Sequence, residues 1–290
     1  MISFRPLSEE DFIQLYQTLL EAFSDYIVQV QPEIDALRRL YQMEGVALGY
    51  SFGAFEEDKM VGFTVNGVGD WRGKLTAYDA GTGVIPSYRR KGVSRRMFEC
   101  ILPFLRERQI KQYLLEVIAE NKPALELYKS LGFQVEREFS VFKQDKVFIS
   151  QDSNQPNRQN IEIKEIENPD WNFLKSFWTH HPSWQNSIDS MQRSTADAAI
   201  NKKVLGVFLD NKIIGYGIVF PKSGNIPQFV IAENHRRKGF GNALLNALQK
   251  LAKAELKVNN VDEKALDAKA FLEANGFSLL TRQYEMLLKL

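Results

Sequence analysis

Two short stretches of the chain have the residue types to hold an anion. Arg89-Arg90-Lys91-Gly92-Val93-Ser94 and Arg236-Arg237-Lys238-Gly239-Phe240-Gly241 each set three cations directly before a glycine. Behind each loop apolar residues recur at helical spacing: Val93, Met97, Ile101 and Phe104 with Leu105 in one, Phe240, Leu244, Leu248 and Leu251 in the other. A helix opening directly after such a loop leaves unpaired amides at the positive end of its dipole, and glycine lets a ligand approach the backbone. Arginine and lysine at the mouth add charge-assisted bonds, which suits a pyrophosphate better than a single carboxylate. A Walker loop is excluded because lysine precedes the glycine, and Gly81-Thr82-Gly83 lacks the third glycine of a dinucleotide fingerprint. A solvated basic turn is the alternative for one copy alone, and two copies in matched contexts favour the anion site.

The elements that must position these loops repeat as well. Gly53-Ala54-Phe55 leads through a polar turn and Lys59 to Met60-Val61-Gly62, and Gly206-Val207-Phe208 leads through Asp210, Asn211 and Lys212 to Ile213-Ile214-Gly215. Each reads as a β-hairpin, followed by a strand that ends in the basic loop, over Leu75–Ile85 and Pro227–Ala232. After the loop helix, Gln112–Ile118 reads as a strand, Lys122–Leu131 as a short helix and Gly132-Phe133 as its cap; the second copy closes with Lys264–Asn275 and Gly276-Phe277. Pro103 predicts a kink in the first loop helix, because its missing amide cannot bond back to Glu99. The polar stretch 151–160 reads as a linker, which divides the chain into domains 1–150 and 161–290.

Composition narrows the function classes. The 290 residues suit two domains, and 44% hydrophobic residues with Lys+Arg 37 against Asp+Glu 36 is globular composition. The net charge of +1 gives no field to gather polyanions, so a nucleic-acid binder is disfavoured. One cysteine, Cys100, forms no internal disulfide, and with three histidines supplies no zinc set, so no metal is expected. The N-terminus MISFRPLSEEDF has no signal-peptide core and no later run reaches membrane-spanning length, so the expectation is a cytoplasmic protein with no membrane partner.

A strand, a loop of the form [RQ]xxGx[GA], a helix, a strand and then NxxAxxLYxxxGF together resemble the GNAT family of acyl-CoA N-acyltransferases. Arg89, Gly92 and Ser94 fill the loop pattern, with Ser94 in place of the usual glycine or alanine; Asn121, Ala124, Leu127, Tyr128, Gly132 and Phe133 fill the second motif. Arg236, Gly239 and Gly241 satisfy the loop pattern again, so the resemblance covers the chain as a tandem. It implies an α/β fold with two GNAT units, each a mostly antiparallel twisted sheet flanked by helices, whose splayed strands form an acetyl-CoA cleft. It implies acetyl transfer from acetyl-CoA to a primary amine, a small-molecule or peptide acceptor, by direct attack in a ternary complex, in a monomer or homodimer.

The resemblance also distributes roles. Tyr128 stands where the family puts the acid that protonates the leaving thiolate, although its spacing from Ala124 and Leu131 also suits a core aromatic. Leu115-Glu116-Val117 resembles the base-bearing strand of ribosomal-protein N-terminal acetyltransferases, which makes Glu116 the first candidate base, with Asp79 and Asp25 in reserve; strand alternation could equally turn Glu116 to solvent. Cofactor contacts fall on Val84, Ile85, Arg89, Arg90, Lys91, Gly92, Val93, Ser94 and Asn121, and in the second copy on Arg236, Arg237, Lys238, Gly239, Phe240 and Gly241. Asn121 would serve equally as an N-cap. Counting back from Gly276 puts Leu272 in the place of Tyr128 and Asn260 in that of Glu116, neither able to transfer a proton. The first copy is therefore expected to catalyse and the second to bind a CoA-like ligand or shape the acceptor cleft. Two alternatives stand: an acyl-CoA sensor without turnover, and an active C-terminal copy, as in the mycothiol synthases whose tandem plan this chain resembles. Trp71, Trp171, Trp178 and Trp184 could line an acceptor pocket or fill the core, and His180-His181 carries no signal.

Overall fold

The computed structural model describes residues 1–25, 31–144, 161–197 and 199–290; the polar stretch 151–160 lies outside them. The described chain divides into two compact units: Met1–Glu136 with Tyr284–Leu290, and Arg137–Gln283.

The first unit runs β1 (Ile2–Pro6), α1 (Phe12–Ala22), α2 (Ile34–Glu44), β2 (Phe52–Glu56), β3 (Lys59–Trp71), β4 (Lys74–Val84), α3 (Val93–Glu107), β5 (Gln112–Ile118) and α4 (Lys122–Ser130). β6 (Gln134–Gln144) passes at Arg137 into the second unit. That unit continues with β7 (Ile161–Glu165), α5 (Trp171–Lys175), α6 (Ile188–Arg193), β8 (Lys203–Leu209), β9 (Lys212–Phe220), β10 (Asn225–Ile231), α7 (Phe240–Leu251), β11 (Lys257–Asp262) and α8 (Leu266–Ala274). β12 (Phe277–Lys289) belongs to the first unit from Tyr284 onward. The strand after each Gly-Phe cap thus contributes to the unit that its own copy does not build.

Each unit is a mixed sheet flanked by helices. In the first, β1-β2-β3-β4 are antiparallel neighbours and β4 pairs β5 in parallel; in the second, β7-β8-β9-β10 are antiparallel, β10 pairs β11 in parallel and β11 pairs β6 antiparallel. The predicted hairpins are β2–β3 and β8–β9. The second turns on Asp210 and Asn211, both left-handed (φ 48° and 63°), the backbone a tight two-residue turn requires. Helix α1 buries Phe12, Leu15, Leu19 and Ala22, and α3 buries Val93, Met97, Phe98, Ile101, Leu102 and Leu105 while running on through Pro103.

The core of the first unit gathers Phe63, Met97, Phe98, Ile101, Tyr113 and Leu115, and with them Met286 of the C-terminal segment, which is fully buried. Covering such a side chain is worth about 2 kcal/mol. Leu290 N–H donates to the Lys111 carbonyl at 3.0 Å, which ties that segment to the start of β5. Among the described residues no helix is long and apolar enough to cross a membrane, and no group of three or more His, Cys, Asp or Glu is placed to hold a metal ion.

Candidate active site

The two basic loops share one backbone. In each, the chain leaves a strand (β4 or β10) through a 3₁₀ turn (Pro86–Tyr88, Glu233–His235) and then bends twice into the left-handed region, at Arg90 (φ 59°) and Gly92 (φ 74°), and at Arg237 (φ 62°) and Gly239 (φ 85°). A side chain at positive φ costs about 1 kcal/mol, and both copies accept it. The result is a nest of amides running into the first turn of α3 and α7, the geometry that cradles phosphate. Val93 and Phe240 are buried, so they can face a ligand only through their amides; Arg90, Lys91, Arg237 and Lys238 are exposed.

The leading arginines hold the loop itself. Arg89 donates Nε–H to the Val84 carbonyl (3.1 Å), Nη2–H to the Ala22 carbonyl (2.7 Å), and both Nη groups to Asp25 (2.8 and 2.7 Å). Arg236 repeats the first of these, Nε–H to the Ile231 carbonyl at 3.0 Å. Arg236 reaches Asp267 and Thr179 only at 3.4 Å, so its fork is less committed than that of Arg89.

The strand that delivers the first loop parts from its neighbour. β4 and β5 pair from Thr76 with Gln112 as far as Asp79 with Leu115, and the strand residues beyond, 80–84 and 116–118, diverge. Asp79 stands at the apex. A bulge at Ala80 lies beside it, since β3 pairs Asn66 with Asp79 and Val65 with Gly81. The Asp79 carboxylate accepts from Gly81 N–H (2.9 Å), Thr82 Oγ1 (2.8 Å) and the Tyr128 phenol. Burial pushes its pKa up to about 6, against the opposing pull of those three donors. Thr82 also meets Thr64 (2.9 Å), Thr64 meets Tyr113 (3.2 Å), and Tyr113 donates to Asn66 Oδ1 (2.5 Å).

Tyr128 comes to the apex from α4. Its ring packs edge-on against Phe98 and Phe133 at 5.7 Å each, so it is a core aromatic whose polar end reaches the opening. Asn121 caps α4, accepting from Ala124 N–H at 3.2 Å. Glu116, half-buried, is the first residue of β5 beyond the pairing, and alternation turns it away from the face of Tyr113, Leu115 and Val117. Asp79 and Tyr128 therefore meet on one face of the sheet and Glu116 lies on the other. Ile85 N–H bonds the Val61 carbonyl (3.1 Å), and Val84 pairs with Gly62.

The acetyltransferase (GNAT) family profile matches residues 12–133 and again 161–277. The chain belongs to this family. Among curated relatives it is 27% identical over 85 residues to N-alpha-acetyltransferase 30 of Schizosaccharomyces pombe and 35% identical over 82 residues to N-alpha-acetyltransferase MAK3 of Arabidopsis thaliana, matches that cover 29% and 28% of this chain. It spans 57% and 43% of those relatives' lengths. Among solved structures, a tandem GNAT protein from the clavulanic acid biosynthesis pathway superposes over 100% of this chain and 98% of its own with a TM-score of 0.73 at 14% identity. A GCN5-related N-acetyltransferase from Sphaerobacter thermophilus superposes over 99% and 95% with 0.72 at 15%. These structures share the fold.

The second GNAT unit keeps the loop and changes the apex. Ile226 precedes Arg236 by the spacing that separates Asp79 from Arg89, Leu272 takes the place of Tyr128 and Ala265 that of the cap Asn121. Ile226 and Leu272 are both buried in the apolar core of the unit. Asn260, matching Glu116, adopts φ 59° and donates to Ser183 Oγ (2.9 Å). Gly241, which takes the place of Ser94, lies so close to Phe271 that an added Cβ would meet the ring at 3.1 Å. β10 and β11 pair only at Asn225 with Lys257, and between them opens a cleft of ≈ 1280 Å³ lined by Trp178, Gln228, Arg236, Asn260 and Phe271 among others.

A neutral chain of bonds backs this cleft: Trp178 Nε1–H to Tyr216 Oη (2.7 Å), Tyr216 to Gln228 Oε1 (2.7 Å), Gln228 to the Asn186 carbonyl (2.6 Å) and Asn186 to the Asn259 carbonyl (3.0 Å). Trp178 is one tryptophan among four in the sequence, and Tyr216 and Gln228 are single polar residues in apolar strands, which carry no spacing signal. Trp71 and Trp184 are core, and His180 and His181 line the cleft. Asp79, a reserve candidate for the base in the sequence, is paired here with Tyr128, and Thr82 and Thr64 carry no spacing signal.

Proposed function

We propose that the chain is an N-acetyltransferase that passes an acetyl group from acetyl-CoA to a primary amine by direct attack, with transfer in the first unit. The observation that carries this reading is the Tyr128 phenol at the opening between β4 and β5, in a unit whose twin has Leu272 there. The amide nest of the Arg90–Ser94 loop suits the pyrophosphate, and the divergent edge of β4 offers unpaired backbone groups to the thioester oxygen. Tyr128 protonates the departing thiolate, and Glu116, on the opposite face, takes the proton that an ammonium acceptor sheds before attack. The second unit keeps a phosphate loop and an open cleft without those groups, so it holds a CoA-like ligand without turnover or shapes the acceptor's approach.

The matched relatives are named as N-alpha-acetyltransferases, which puts a peptide's α-amine first among acceptors. The chemistry agrees: an α-amine of pKa about 7.7–8.0 needs roughly 1 kcal/mol to lose its proton at pH 7, against roughly 4 to 5 kcal/mol for a lysine ε-amine of about 10.4. The test is acetyl-CoA with pooled amines that include N-terminal peptides, read by thiol release and product mass. Wild type should acetylate at least one, and Tyr128→Phe should not. Saturable CoA binding without product across the panel would make the chain a sensor. Loss of activity in Arg236→Ala with Tyr128→Phe unaffected would assign transfer to the second unit.

A further inference from the structure

We propose that Asp79 is the positioning partner of Tyr128: its carboxylate holds the phenolic hydrogen and stores, within one turnover, the proton that Tyr128 carries from the attacking nitrogen to the leaving sulfur. The inference rests on transfer taking place in the first unit. It begins from placement. Asp79 is the last β4 residue paired with β5, the adjoining bulge at Ala80 marks where the strand bends away, and three donors from Gly81, Thr82 and Tyr128 converge on its carboxylate. Only 8% of the residue is exposed.

A phenol whose hydrogen points at a carboxylate presents its oxygen as an acceptor. The nitrogen of the tetrahedral adduct can then give a proton to the Tyr128 oxygen while the phenolic proton moves onto Asp79. When the adduct collapses, the C–S electron pair goes to sulfur, which takes the phenolic proton as Asp79 returns its own to the oxygen. One C–N bond forms, one C–S bond breaks, and one proton passes from nitrogen to sulfur, so amine and thioester give amide and thiol with no further reactant. A carboxyl group raised to about 6 can take and return a proton near neutral pH.

The second unit supports a chemical role over a scaffolding one. It too parts its parallel strands, β10 from β11, and does so with Ile226 and Leu272, so a strand opening needs neither the carboxylate nor the phenol, and the two are replaced together. The titratable groups facing Asp79 are Tyr128 from α4, Tyr113 from β5 and Tyr41 from α2, behind which stands Glu44. Burial holds Tyr41 and Tyr113 well above the ordinary phenol range, so both phenols stay neutral while Asp79 titrates.

The test uses the full chain labelled with [¹³Cζ]tyrosine, the Tyr128 signal being assigned by its loss in Tyr128→Phe. We expect that signal to inflect near pH 6, to lose the inflection in Asp79→Asn and to shift it in Asp79→Glu. In the acetyl-CoA assay with pooled amines, Asp79→Asn should lower kcat by about 100-fold with KM for acetyl-CoA unchanged, and Asp79→Glu should recover part of it. Should Asp79→Asn fail to fold, Thr82→Val removes one donor and should move the Tyr128 inflection to higher pH. An active chain with a flat Tyr128 signal, or with kcat intact in Asp79→Asn, overturns the shuttle alone. A wild type that acetylates no amine overturns the proposed function and the shuttle with it.

Discussion

The two units carry one loop and two different apexes. Arg90 and Arg237 share the same strained φ, Gly92 and Gly239 the same left-handed bend, and Arg89 and Arg236 the same Nε bond to the strand-end carbonyl. At the opening of the strands the first unit has Asp79 and Tyr128, and the second has Ile226 and Leu272. The loop is therefore separable from the apex: an amide nest depends on backbone angles that one arginine, one glycine and a helix start provide, whereas the proposed proton transfer depends on two side chains brought together by elements far apart in sequence.

The largest test of this contrast removes the borrowed strand. Deleting residues 284–290 takes Met286 out of the first unit's core and should abolish its cooperative unfolding and all acetyl transfer, while the second unit keeps its amide protection in hydrogen exchange. Next comes the phenol. Tyr128→Phe should cost between about 100- and 10,000-fold in kcat, and Leu272→Phe should leave turnover where it was. If both variants lose activity alike, the division of labour is wrong.

A smaller effect tests the buried carboxylate by its pH dependence. The folded pKa of Asp79 lies near 6 and its ordinary value is 3.8, so the folded chain holds the extra proton between them. Its stabilising contribution is full below about 3.8 and is lost as pH rises through about 6, leaving an ionised buried group that costs about 3 kcal/mol. Urea melts should show Asp79→Asn gaining roughly that much on wild type between pH 4 and pH 8; no pH-dependent gain would mean that the carboxylate is solvated. The smallest effect exchanges the caps of α4 and α8, whose backbones agree closely (φ, ψ of −79°, 69° and −82°, 62°). Asn121→Ala should destabilise the first unit by about 1 kcal/mol and Ala265→Asn should stabilise the second by less, both read by thermal melts.

Local pattern carried much of this structure. The strand expected at Gln112–Ile118 has those bounds, the helix expected at Lys122–Leu131 runs Lys122–Ser130, and both hairpins form, because alternation, helical spacing and turn chemistry are properties of neighbouring residues. The membership of β6 and β12 was not legible. Phe277–Lys289 reads as a strand from its own residues, but which sheet edge completes it is settled by long-range pairing that no local period encodes. The fork of Arg89 was hidden for the same reason. An arginine in a basic loop looks available to phosphate until Asp25 and the Ala22 carbonyl, more than sixty residues earlier, are seen to engage it.

The C-terminal segment also bears on the order of events during synthesis. The half of the chain that leaves the ribosome first lacks Met286 and the Leu290 bond until residues 284–290 have followed it out, so its core stays open while the whole of the second unit is being made. The nascent first half is thereby exposed to chaperones while residues 137–283 are being made.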